Sequence, residues 1–273
     1  MLNQTTVMTL AQEVRAAQQQ VTPLTPFTAR IDSLSFEDAY AIAYALSSLR
    51  VANGERVIGK KIGFTNPDLW AQFKVETPAW GYLYDTDTTQ FTDVPLTLSL
   101  RPYYQPRIEP EIVFGLRHAP QASANVNDLL AAIEWVALGY EMVQCHYPNW
   151  AFQVPDCIAD GTFHAAMVIG ERIPLTHFGL DAAAILQNLS LTLSCNGDII
   201  ETGQGQNVLG SPLIALNHLL QLLAQQDQKF ALRAGDIVTT GSLTKAYPVA
   251  PGQTWHSTIH GAPLTGLTLT LVD

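Results

Sequence analysis

Three carboxylates and one lysine are the side chains of this 273-residue chain whose types and spacing could do chemistry. In the segment RIEPEIVFGL, Glu109 and Glu111 stand two residues apart, and in a β-strand residues two apart project from the same face. Two carboxylates crowded ahead of an apolar VFGL repel each other unless one is protonated or a cation lies between them. The segment EWVALGYEMVQC supplies a third, Glu141, set between Tyr140 and Met142 where an unpaired carboxylate is costly. Three hard oxygen ligands from two strands, with water completing the shell, suit an octahedral Mg²⁺ or Mn²⁺, whereas zinc favours His or Cys. The alternative for the Glu109/Glu111 pair alone is a solvated strand face. Glu134 lies an odd number of residues from Glu141, so a regular strand points it the other way, and it reads as structural.

GKKIGFTNP places Lys60 and Lys61 side by side. Strand geometry turns them to opposite faces, so at most one points inward. Beside an acidic site Lys61 would be the inward one, able to balance an anionic substrate or to handle a proton, leaving Lys60 outward with a structural or solvated role; spacing alone does not choose between them. In GDIVTTGSLTKAYPV, the hydroxyls of Ser242 and Thr244 and nearby backbone N–H groups could bind a carboxylate or carbonyl oxygen, the alternative being a plain Ser/Thr turn. GQGQNVLG at 203–210 lacks the Lys-Ser/Thr of a P-loop and the strand-GxGxxG-helix setting of a dinucleotide site, and reads as a loop that lines the pocket. No histidine precedes His118; His146 and His164 are near enough in sequence to approach the site but read as structural, and Cys157 has no adjacent activating base.

The elements that must position these groups come from patterning. Thr6 to Gln20 carries apolar residues at helical spacing with Thr9 as a cap, and Ser35, with Asp38 three residues on and Gly54 at the end, opens a second helix. From Val57 onward short β-rich runs dominate: VIGKKIGF, QFTDVPLTLSL, RIEPEIVFGL, EWVALGYEMVQC, AAMVIGE, LSLTLSCNGDII, DIVTTGSL and LTGLTLTLVD. Two interruptions, 122–133 and 211–226, read as helices, the second with Pro212 in its first turn. Asn196-Gly197 marks a tight hairpin. The pattern is α+β, divided into a helical region, 1–55, and a β-rich catalytic domain, 56–273. A formal net charge of −10 with no Lys/Arg run argues against nucleic acid. The low charged fraction, 14 %, beside 47 % apolar residues points to surface covered by other copies of the chain, a homo-oligomer. Three cysteines without a CxxC spacing fit a reducing cytoplasm, and neither a signal sequence nor an apolar run of about 18 residues is present, so no membrane partner is expected.

Taken in order, GKKIGFTNP, RIEPEIVFGL, EWVALGYEMVQC, VPDCIADGTFH, GQNVLGSPLIAL and GDIVTTGSLTKAYPV resemble the fumarylacetoacetate hydrolase superfamily, and within it the 2-keto-4-pentenoate hydratase and 4-oxalocrotonate decarboxylase branch. The resemblance implies a mixed β-roll or barrel core with a small helical N-terminal part, assembled into homo-oligomers. It implies Mg²⁺ or Mn²⁺ on Glu109, Glu111 and Glu141, proton transfer or substrate binding by Lys61, and substrate contacts from Ser242 and Thr244. The activity it implies is a metal-dependent lyase, a hydratase of a 2-hydroxy-dienoate or 2-oxo-enoate from aromatic catabolism. The alternatives are decarboxylation of a 4-oxalocrotonate-like diacid, acylpyruvate C–C hydrolysis, and a non-catalytic ligand-binding homologue. The chain departs from the family pattern at three places: Ala79 where an acidic residue precedes the glycine of a PDYG-like motif, Gln144 where relatives carry Asp, and Asp160-Gly161-Thr162-Phe163 in place of DNAS.

Overall fold

The computed structural model describes residues 1–90 and 96–273. Helix α1 (Gln4–Gln20) begins two residues before the expected start because Asn3, not Thr9, caps it, its side chain accepting from the Thr6 N–H. Thr9 lies inside the helix and bonds back to the Thr5 carbonyl. Helix α2 (Phe36–Ala52) is capped as the sequence predicts, Ser35 Oγ accepting from Asp38 N–H. The two helices bury Leu10, Val14, Ile42 and Leu46 against each other and Phe27.

The remaining chain forms two sheets. The larger holds β1 (Val57–Gly63), β2 (Ala79–Tyr84), β3 (Thr88–Gln90), β5 (Arg107–Leu116), β6 (Ile133–Val143), β7 (His164–Ile169) and β11 (Ile237–Ser242) in the order β2-β1-β11-β5-β6-β7-β3, with the two-residue strands β8 (Ile173–Pro174) on β6 and β12 (Tyr247–Pro248) on β5. The smaller, in the order β10-β9-β13-β14-β4, comprises β4 (Leu96–Ser99), β9 (Ser190–Cys195), β10 (Asp198–Gln204), β13 (Thr254–His260) and β14 (Leu267–Val272). Both mix parallel and antiparallel pairs, giving the expected mixed β-roll. Of the expected strand QFTDVPLTLSL, residues 91–95 lie outside the described residues and 96–99 form β4.

Helices α3 (Trp70–Phe73), α4 (Val126–Ala132), α5 (Val154–Ala159), α6 (Ala182–Asn188) and α7 (Pro212–Ala224) fill the connections. The stretch Gly205–Ala224 is apolar and long enough, by length and composition, to cross a membrane. Its helix α7 nevertheless buries Leu213, Leu216, Leu219 and Leu220 in the main core beside Val238 and Leu243. The Asn196-Gly197 hairpin joins β9 to β10 with both residues at positive φ, 53° and 92°.

An ion-paired cluster fastens the helices to the larger sheet. Arg50, at the end of α2, donates to Glu55 and Asp87 and stacks on the Tyr84 ring at 3.6 Å, while Arg15 of α1 reaches Glu55 at 2.7 Å. Burial alone would raise the carboxyls of Asp38, Glu55 and Asp87, but their hydrogen bonds and cationic neighbours outweigh it and hold all three below the usual range. A depressed folded pKa contributes stability above the unfolded value and loses it as pH falls through the folded one. The contribution of these three carboxylates should therefore hold on acidification to about pH 4, the ordinary carboxylate range, and melting temperature should drop steeply below it. In Arg50→Gln the acid limb should be shallower, as thermal melts across pH would show.

Candidate active site

Strand register builds the site. In the β5–β6 ladder Glu109 lies directly opposite Glu141, and Glu111 is two residues further on the same face. Each ligand set needs only one oxygen per residue, and such atoms of Glu109, Glu111 and Glu141 all fall within 4.8 Å of one another. Glu111 and Glu141 are wholly buried. Glu111 Oε2 accepts from the Gly241 N–H at 2.9 Å, which requires β11 to turn close at a glycine with φ +99°; a Cβ there would strike Thr65. Ser242 pairs with Glu111 immediately beyond this irregularity.

Lys61 faces the trio from β1. Its Nζ lies 3.1 Å from Glu141 Oε2 and donates to the Thr162 carbonyl at 3.1 Å. Burial by itself would lower the ammonium's pKa, but Glu141, Glu109 and Glu111 outweigh it and raise it. The carboxylates divide accordingly. Burial, with Glu141 as like-charged neighbour, pushes Glu109 up to about 7 and Glu111 well above its ordinary value. Glu141 is held below its usual range against the effect of burial by Lys61 and His164.

The donor set fits a divalent cation. Glu111 Oε1 and Glu141 Oε2 are buried without a hydrogen-bond partner; the Lys61 contact to the latter is an ion pair out of line for a good hydrogen bond. One ammonium beside three converging carboxylates leaves negative charge that an oxygen-seeking ion such as Mg²⁺ or Mn²⁺ would balance.

Lys61, Glu109, Ser242 and Thr244 line a common cavity of about 560 Å³. Ser242 Oγ accepts from the Thr244 N–H at 3.3 Å. A larger groove, about 940 Å³, runs between α1, α2 and the end of α7, but it holds none of the clustered carboxylates, so the chemistry belongs to the smaller one. Phe73, Trp150 and Phe152 form an apolar wall with Phe64 and Phe163, the Phe152 and Phe163 rings meeting edge to face at 4.8 Å. Trp70 and Trp80, equally aromatic in the sequence, do not line it. Cys157 does, but burial pushes its thiol well above the ordinary value, so it is not a thiolate nucleophile.

Several residues sit differently from their sequence reading. Lys60 does face away from Lys61, yet it is 3 % exposed rather than solvated, with Nζ near the rings of Trp80 and Tyr82 at 5.3 and 5.4 Å. Burial lowers its pKa to about 8. GQGQNVLG does not line the cavity; Asn207 donates to the Leu243 carbonyl and the Leu209 N–H to the Thr65 carbonyl, so it buttresses the wall from behind. Ala79 is packed with Val154 and Ile158, outside the cavity.

Two groups escaped sequence reasoning, and a third, His164, reads there as structural. Gly161, Thr162 and Phe163 run at φ 67°, 56° and 62°, a left-handed stretch that carries the Thr162 carbonyl to Lys61. Arg107, one pleat before Glu109, lines the cavity with its guanidinium 4.0 Å over Trp150 and its Nε buried without a partner; same-face spacing from Glu109 was the available signal. His164 donates from Nδ1 to Glu141 Oε1 at 2.7 Å, and its Nε2 lies 3.3 Å from Asp87.

Residues 75–269 match the C-terminal domain of fumarylacetoacetate (FAA) hydrolase. The chain is 33 % identical to 2-hydroxyhexa-2,4-dienoate hydratase of Comamonas testosteroni over 93 % of its length and 94 % of the relative's. It is 30 % identical to a 4-oxalocrotonate decarboxylase of Pseudomonas sp. (strain CF600) over 90 % of each. Its fold superposes on 4-oxalocrotonate decarboxylase from Pseudomonas putida G7, solved with magnesium and adipate, at a TM-score of 0.91, with 27 % identity and coverage of 100 % and 99 % of the two chains. By sequence and by fold, the chain belongs to the fumarylacetoacetate hydrolase family, in its 2-keto-4-pentenoate hydratase and 4-oxalocrotonate decarboxylase branch.

Proposed function

We propose that the chain is a divalent-metal-dependent lyase that hydrates a 2-hydroxy-dienoate or 2-oxo-enoate of the kind formed in aromatic catabolism. The observation that carries this reading is the convergence of Glu109, Glu111 and Glu141 beside Lys61, with Lys61 and Glu109 reaching the lining of an aromatic-walled cavity. Bound by those three carboxylates, Mg²⁺ or Mn²⁺ supplies Lewis-acid stabilisation of charge developing on a 2-oxo acid. Lys61, its ammonium pKa raised, is protonated at neutral pH and delivers a proton from Nζ to a substrate carbon, and the water that adds its hydroxyl to the substrate returns its other proton to Nζ. Ser242 Oγ accepts from Thr244 N–H, which leaves its own hydrogen to donate to the substrate carboxylate. The Phe64, Phe73, Phe152 and Phe163 rings hold the apolar tail and limit water to what the addition requires.

Arg107 favours a second reading, decarboxylation of a diacid. It lies on the face of β5 that carries Glu109, about 7 Å along the strand from it, and among the described residues it has no ion-pair partner. A carboxylate at the far end of a 2-oxo diacid would satisfy the free Nε. A cytoplasmic homo-oligomer completes the proposal, supported by exposed apolar side chains such as Phe36, Tyr44 and Val51 along α2.

Incubation with Mg²⁺ and, separately, 2-hydroxypenta-2,4-dienoate, 4-oxalocrotonate and an acylpyruvate, with products identified by mass, tests both. Gain of one water by the dienoate is the expected result. Loss of CO₂ from the diacid, weakened in Arg107→Met, would place the second reading first. Cleavage of the acylpyruvate alone, or binding without turnover of any of the three, would overturn the lyase assignment.

A further inference from the structure

His164 is the one charged-group contact to the carboxylate trio, besides Lys61, that the proposed chemistry leaves without a task among the described residues. It opens β7 opposite Val143, buried, with each ring nitrogen facing a carboxylate: Nδ1 hydrogen-bonded to Glu141 Oε1 at 2.7 Å, and Nε2 at an ion-pair distance of 3.3 Å from Asp87 Oδ1 without hydrogen-bond alignment. The two Glu141 oxygens are thereby divided. Oε1 is engaged by the ring, and Oε2 is turned toward Lys61 and has no hydrogen-bond partner. Without the ring, both oxygens are free to rotate about the terminal torsion, which is broad and weakly restrained in glutamate.

The ring is itself held. Asp87 receives the Tyr84 N–H at Oδ1 (3.1 Å) and Arg50 at Oδ2 (2.8 Å), and its own carbonyl accepts from the N–H of Met167 (2.8 Å), the β7 residue that pairs with Glu141. Arg50 is fixed on the Tyr84 ring and by Glu55. A continuous chain of contacts thus runs from the end of α2 through Arg50, Asp87 and His164 to Glu141. An imidazole that fixes a metal-binding carboxylate is the outer-shell arrangement that orients ligands and tunes metal affinity.

We propose that His164 is a positioning residue for Glu141, its Nδ1–H fixing the carboxylate so that Oε2 addresses the metal position, with Asp87, in the turn between β2 and β3, and Arg50, at the end of α2, holding the ring. This rests on the metal-site reading above. The test is calorimetric titration of Mn²⁺ into chelator-stripped full-length protein, paired with thermal melts, for wild type, His164→Leu, His164→Asn and Asp87→Asn. His164→Leu should bind Mn²⁺ about 10- to 100-fold more weakly, the usual effect of losing an outer-shell partner. His164→Asn keeps an N–H donor near the Nδ1 position and should recover most of that loss, although it forfeits the Asp87 contact and melts no higher. Asp87→Asn leaves the ring in place but loosens it and should weaken binding by a smaller factor; it also serves if His164→Leu does not fold. Unchanged affinity in both His164→Leu and Asp87→Asn, or an Asn variant as weak as the Leu variant at equal melting temperature, overturns the positioning role. If wild type shows no saturable Mn²⁺ binding, the metal reading itself fails, a result distinct from wild-type binding that His164 does not influence.

Discussion

Glu111→Gln should abolish turnover while leaving the metal-free protein at least as stable as wild type, and more stable above neutral pH. The two effects come from one side chain. Glu111 is fully buried, and its carboxyl is held well above the ordinary range by that burial and by Glu141 and Glu109. Its ionised form is therefore a cost to the fold unless a cation offsets it. A neutral amide removes that cost and still accepts the Gly241 N–H through its oxygen. The sign follows from linkage: a folded pKa above the unfolded value means that stability falls as pH rises between them, and glutamine abolishes that fall. The same change removes one of three converging ligands, so the drop in turnover should exceed the roughly 10- to 100-fold expected of an outer-shell partner, reaching about 10³-fold or more. Steady-state rates, together with melts in chelator and in Mg²⁺, read both effects. Wild type should gain melting temperature on adding Mg²⁺ and the variant should not. Full activity of Glu111→Gln without metal would sink the metal assignment.

How far the sequence discloses such a site depends on which residues are local to a strand. Glu109, Glu111 and the strand that holds them are legible because a period of two and an apolar continuation speak for themselves, and Glu141 stands out as a carboxylate inside an apolar run. Their convergence is not legible. It depends on the register Glu109 to Glu141, fixed by the β5–α4–β6 connection and not by either strand alone. Lys60 shows the same limit: alternation gives its direction, but only the pairing of β1 with β2 brings Tyr82 opposite it and Trp80 two residues away. Strand β13, TWHSTIH, has too few apolar residues to register as a half-buried strand, since one of its inward positions is Ser257, satisfied by the Tyr140 hydroxyl at 2.7 Å. Strand β2 is buried on both faces and so lacks alternation. His164 and Asp87 meet only through the β3–β7 pairing, and neither carries a local sign of the other.

Lys61→Met should move the metal-free protein in the opposite direction from Glu111→Gln. The Lys61 ammonium is the cation among three carboxylates, two of them fully buried, 3.1 Å from Glu141, and the Lys61 and Glu141 side chains are sealed from solvent at 4 % and 0 % exposure. Its folded pKa lies above the ordinary lysine value, so its stabilisation is fully present at and below neutral pH and would be lost only as alkaline pH rises through the folded value. Deleting one partner of a buried ion pair leaves the other charge uncompensated and costs about 3–5 kcal/mol. Part of this returns if Glu141 takes up a proton, so the melting temperature of the chelator-treated variant should fall most at high pH. Mg²⁺ should restore much of the loss, because Glu109, Glu111 and Glu141 remain to hold it and a divalent ion replaces the missing positive charge. Turnover should not return with it: a proton-transfer group contributes about 10²- to 10⁴-fold, and methionine fills the space without supplying a proton. The pair of variants therefore separates chemistry from folding. Both lose turnover, but general misfolding would lower both metal-free melting temperatures, whereas the charge arrangement at this site lowers that of Lys61→Met and spares or raises that of Glu111→Gln. An unchanged metal-free melting temperature in Lys61→Met would mean that the carboxylates are neutral without metal, and would remove the ammonium from its place as their counter-charge.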